Sequence, residues 1–99
     1  MISVCKDVKE EILRVFGKDV GRELIQKVEA SEFNLGRQSA ERIIMAILFG
    51  SSGDKNKFRE LINTTKTDWR DMLVGTGMAN DDWRDVLKKN GYWVPPKSN

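Results

Sequence analysis

Apolar residues recur at intervals of three and four over most of the chain, the spacing that gathers them on one side of an α-helix. Val4, Val8, Ile12 and Val15, with Leu13 and Phe16 beside them, alternate with Lys6, Asp7, Lys9, Glu10 and Arg14, which predicts a helix from about Ser3 to Phe16. Ser3 is the expected N-cap. Gly17 is the expected stop, because glycine tolerates the left-handed backbone that ends helices. Val20, Leu24, Ile25 and Val28 mark a second helix from about Asp19, with Glu23, Gln26, Lys27 and Glu29 outward. The connection Gly17-Lys18-Asp19 is short enough to make the two helices antiparallel neighbours.

Periodicity lapses from Ser31 to Gln38, where Phe33 and Leu35 suggest a loop pinned to a core. Ser39, or Asn34, then caps a third segment that is apolar nearly all round from Ile43 to Phe49, as expected of a central, enclosed helix. Its β-branched content leaves a buried strand as the alternative there. Gly50-Ser51-Ser52-Gly53 reads as a stop, and Asp54 as the cap of a fourth helix with Phe58, Leu61 and Ile62 inward and Lys55, Lys57, Arg59 and Glu60 outward.

The C-terminal third repeats itself. Asp68-Trp69-Arg70-Asp71-Met72-Leu73 aligns with Asp82-Trp83-Arg84-Asp85-Val86-Leu87, and Gly77 with Gly91. Each copy reads as a cap, an acidic first turn, a short helix and a glycine stop, opened by Thr67 or Asp68 in the first and by Asn80 or Asp81 in the second. Two copies are too few for a stacked repeat array, which generally needs about three. Trp69 and Leu73, like Trp83 and Leu87, stand four apart and share a helix face, so both indoles are expected in the core. Pro95 and Pro96 stop any further helix. The pattern as a whole predicts an all-α fold: a bundle of five to six helices without a sheet, two longer antiparallel helices preceding shorter ones. Residues 1–94 form the expected domain and residues 95–99 an extended tail.

Composition narrows the function mainly by exclusion. The chain has 99 residues, 39% of them hydrophobic, and no histidine. Hydrolysis by a triad with a histidine base is therefore excluded. The single cysteine, Cys5, cannot form an internal disulfide, and Cys/His zinc coordination lacks its ligands. A lone thiol and the absence of an apolar leader near Met1 point to the cytoplasm. The longest apolar run, Ile43–Phe49, is far shorter than the roughly 20 residues of a spanning helix, so no membrane association is expected. Seventeen basic against fifteen acidic residues leave a net charge of +2, which selects no partner by itself.

No catalytic constellation stands out, so the protein is not expected to be an enzyme or to carry a cofactor or metal. The leading expectation is a small cytoplasmic interaction module that binds another protein or, as a homodimer, itself. Trp93, Arg70 and Arg84 are its candidate contact residues, since tryptophan and arginine are enriched where partners dock. The alternative is nucleic-acid binding through the basic stretch Lys55, Lys57, Arg59 and Lys66, which follows a glycine-containing turn of helix-turn-helix length. A remoter alternative is a metal-dependent hydrolase using Asp71, Asp82 and Asp85. Their spacing differs from that of an EF-hand loop, and acidic residues in a helix's first turn already have an electrostatic reason to be there. Gly50–Lys55 lacks phosphate-loop spacing.

Overall fold

A computed structural model describes residues 3–36 and 38–96. Six helices follow one another: α1 (Lys6–Phe16), α2 (Lys18–Ala30), α3 (Ala40–Ser51), α4 (Lys55–Thr67), α5 (Trp69–Thr76) and α6 (Trp83–Lys89), with no strand among the described residues. The all-α bundle is thus the observed fold, and the strand alternative for residues 43–49 is removed.

The α1–α2 turn is a single residue. Gly17, at φ +82°, donates its N–H to Leu13 O while its own carbonyl accepts from Gly21. Gly21 faces Leu13 so closely that a Cβ there would stand 3.1 Å from the Leu13 Cα, which is why the helices pack tightly. The capping role expected of Ser3 falls instead to Cys5, whose side chain makes no cap bond. The helix begins at Lys6, three residues later than the periodicity predicts: Ser3 is exposed, Cys5 half-buried, and Val4 is buried without being helical.

Every residue from Ile43 to Leu48 is buried, and α3 packs against α1, α4 and α5. Ser39 caps it, its hydroxyl accepting from the Arg42 N–H at 3.2 Å. The helix runs through the expected stop to Ser51, and Ser52 and Gly53 make the left-handed turn at φ +50° and +79°. Asp54 then caps α4, accepting from the N–H groups of Asn56 and Lys57 at 2.8 and 3.2 Å.

Asp68 ends α4 and opens α5: its N–H donates to Thr64 O, and its carboxylate accepts from the Arg70 N–H at 2.9 Å. The duplicated segments close identically. Gly77 and Met78 donate to Val74 O and Leu73 O; fourteen residues later Gly91 and Tyr92 donate to Lys88 O and Leu87 O. Both are Schellman endings with glycine at the left-handed position. Their beginnings differ. The second helix opens after Asp82, not after Asn80 or Asp81, and Asp82 makes no side-chain cap bond. The indoles differ too: Trp83 is 5% exposed, whereas Trp69 is only partly buried at the edge of the core.

Arg42 links the central helix to the loop between the repeats, donating to Gln38 Oε1 at 3.1 Å and to the carbonyls of Met78 and Ala79 at 3.0 and 3.3 Å. Burial pushes its guanidinium pKa down, with Asp81 acting in the opposite sense. The chain past α6 stays on the body: Pro95 is buried. Lys97, Ser98 and Asn99, expected in the tail, lie outside the described residues.

Gly50 sets the distance between α3 and α5. A Cβ at this position would fall inside the Thr76 side chain and stand 3.1 Å from Leu61 Cδ1. Gly50→Ala should therefore lower stability by about 1–3 kcal/mol, the usual cost of overpacking. Adding Thr76→Ser, which removes the colliding methyl and keeps a hydroxyl to bond Leu73 O, should recover part of the loss. Urea denaturation of the three proteins checks both expectations.

Candidate functional site

The last described residues form a strap packed against the bundle: Tyr92, Trp93 and Val94 lie on the core and Pro95 is buried. Two residues of α1 hold it. Glu11 and Arg14 are joined by two 2.9 Å hydrogen bonds, and each reaches the strap: Glu11 Oε2 accepts from the Trp93 N–H at 3.0 Å, and Arg14 Nη2 donates to Gly91 O at 3.4 Å. Tyr92 lies between them and α3, edge-on to Phe49 with ring centroids 5.7 Å apart, while the Arg14 guanidinium lies 5.7 Å from its ring centroid. From α6, Arg84 Nε donates to Pro95 O at 3.1 Å.

That same Arg84 stacks on its neighbour Trp83, 4.3 Å from the ring centroid, and Arg42 approaches the same ring at 5.2 Å. A buried indole between two guanidiniums is a cation–π arrangement worth about 0.5–2 kcal/mol per contact. Through Arg84 the buried indole is thus connected to the strap at Pro95 O.

Between strap, α1 and α3 lies a groove of about 350 Å³, lined by Cys5, Asp7, Ser39, Glu41, Arg84, Trp93, Pro95 and Pro96. One wall is the half-buried Trp93 with the two prolines; the other carries two carboxylates from the first turns of α1 and α3. Neither Asp7 nor Glu41 has a cation within ion-pair distance among the described residues. Arg84, the one cation among the described residues that line the groove, is already engaged with Pro95 O and Trp83.

Of the three contact residues named from the sequence, Arg84 and Trp93 meet here and Arg70 does not. Arg70 is exposed on α5, its guanidinium 5.2 Å from the Trp69 ring centroid. The basic stretch is divided as well. Lys55, Arg59 and Lys66 are separated by four and seven residues and share one flank of α4, whereas Lys57 lies on the opposite flank and pairs with Glu60 at 3.9 Å. Arg59 and Lys66 line a second groove of about 290 Å³ against α2, together with Lys27, Ser31, Ile62 and Asn63. Asp71, Asp82 and Asp85 are not assembled into a metal-holding group: no cluster of three or more His, Cys, Asp or Glu side chains able to bind an ion occurs among the described residues. No helix among them is long and apolar enough to cross a membrane.

Sequence reasoning passed over Glu11, Arg14, Asp7 and Glu41. The Glu11–Arg14 pair was visible as a spacing of three on a helix, but its second partners, 77 and 82 residues away, were not. Comparison with known proteins finds no family model, no curated protein and no solved structure that matches the chain.

The bond to Arg14 holds the Glu11 carboxyl below the usual carboxylate range, helped by the Trp93 N–H and opposed by burial. A carboxyl depressed in the folded state stabilises the fold above its unfolded pKa of about 4.3, and this contribution is lost as pH falls through the lower folded value. Glu11→Gln should accordingly cost about 1–2 kcal/mol at pH 7, because a charge-assisted anchor with only 13% side-chain exposure is replaced. The gap from the wild type should close as pH drops below about 4. Chemical denaturation at a series of pH values measures it, and a gap independent of pH would contradict the anchoring role.

Proposed function

We propose that the protein is a small helical interaction module of the cytoplasm, and that the groove beneath the C-terminal strap is where it engages another protein. The supporting observation is that Asp7 and Glu41, which have no ion-pair partner among the described residues, line one groove with the indole of Trp93. The matching occupant is an extended segment bearing a lysine or arginine: its charged head would sit between the carboxylates and its methylene stem along Trp93 and the prolines. Cation–π contact and charge-assisted hydrogen bonds together are of a size suited to transient peptide binding. A segment of a second copy of this chain would satisfy the same chemistry, and a homodimer is the self-associating version of the reading.

Fluorescence anisotropy with a lysine-rich peptide, its fully acetylated form and a glutamate-rich peptide tests this. The lysine form should bind and the other two should not, and Trp93→Ala or Glu41→Lys should weaken binding at least tenfold while leaving the helical circular dichroism spectrum unchanged. Equal binding of the acetylated peptide, or indifference to both substitutions, would remove the proposal. Light scattering across concentration separates the homodimer from the monomer.

A further inference from the structure

The groove between α2 and α4 is chemically unlike the one under the strap and shares no residue with it. The two helices run side by side in the same direction here: Val20 lies near Lys55, Glu23 pairs with Arg59, and Lys27 and Ala30 share a groove with Lys66. Lys55, Arg59 and Lys66 form a line along α4, and with 1.5 Å of rise per residue that line is about 16 Å long. Lys27 adds a fourth cation from across the groove. Glu23 neutralises part of Arg59, and the Asp54 carboxylate is held by backbone N–H groups at the start of α4. Lys27, Lys55 and Lys66 have no carboxylate within ion-pair distance among the described residues.

We infer that this flank of α2 and α4 seats the phosphate backbone of duplex DNA, without reading its sequence. Charge complementarity argues for a polyanion: one strand of a duplex presents a phosphate about every 3.4 Å along its axis, so a line of about 16 Å faces several, and three lysines are available to them. The residues of the groove argue for a duplex over a single strand. Its only large apolar member is Ile62, and no aromatic ring lines it, so unstacked bases would find no surface to stack on. Asn63 offers a short polar group at the same level, whereas the buried Ser31 hydroxyl is taken up by Lys27 O at 2.7 Å. The separation of the basic residues is itself informative, because Lys57, on the far flank, carries the same charge on the same helix and faces away from the line.

Anisotropy with a labelled mixed-sequence 20-base-pair duplex tests the inference on the full chain. Binding at 50 mM salt should fall roughly 40-fold by 200 mM, the dependence expected when about three phosphates are contacted. Lys66→Glu and Lys27→Glu should each weaken binding at 50 mM at least tenfold and flatten the salt dependence. Lys57→Glu, an equal change in net charge, should weaken it less than threefold, and Trp93→Ala should leave it unaltered, which keeps this inference separable from the strap groove. Melting curves of each variant confirm that it folds. Absence of binding at 50 mM salt would overturn the inference. So would equal losses for Lys57→Glu and Lys66→Glu, or tighter binding of a single-stranded oligonucleotide of equal length.

Discussion

A helix with no polar side must be enclosed, and in this protein the requirement falls on Ile43–Leu48, six consecutive buried residues at the centre of the molecule. The other elements are arranged to meet it. Their own stripes are narrow: Val8 and Ile12 on α1, Leu24, Ile25 and Val28 on α2, Phe58, Leu61 and Ile62 on α4. Each covers part of the central helix or of a neighbour that does. Where bulk would keep the helices apart, the chain places glycine, at Gly21 against Leu13 and at Gly50 against Thr76. The outcome has a radius of gyration of 12.1 Å, close to the roughly 13 Å expected of a folded chain this long.

The duplicated C-terminal segments separate local from tertiary causes. Their endings are the same, down to which N–H meets which carbonyl, because a Schellman closure depends on a glycine at one backbone position and on little else. Their environments are not the same. Trp83 is enclosed, with Arg84 and Arg42 on its ring, whereas Trp69 lies at the edge of the core with Arg70 stacked upon it. Arg42 comes from the central helix, so the asymmetry between two nearly identical sequences arises from what the rest of the fold brings to each. The arginine after each tryptophan has a local occupation in both copies, stacking on the preceding indole, and in the second copy it also holds the strap.

Both grooves are made where elements remote in sequence come together. The strap groove exists because Glu11, Arg14 and Arg84 fasten residues 91–95 across the ends of α1 and α3. The basic flank exists because α2 and α4 lie side by side, which sends Lys57 to one side and its three basic neighbours to the other. Charge is divided between the two accordingly, carboxylates with an indole in one and lysines without aromatics in the other.

Much of this was legible along the chain: helical spacing, the caps at Ser39, Asp54 and Asp68, the glycine stops at Gly17 and Gly77, and the central position of residues 43–49 all depend on interactions within a few residues. The expectations that failed were also local, Ser3 as a cap and Asn80 or Asp81 as the start of the last helix, and they failed because several adjacent residues had similar capping propensities and only packing could choose among them. Trp93, Arg84, Arg59 and Lys66 could be singled out by type. Which of them share a groove, and that Arg70 and Lys57 stand apart, was decided only by the tertiary structure, because the direction of a side chain follows from the helix face that burial turns inward and from partners up to 82 residues away.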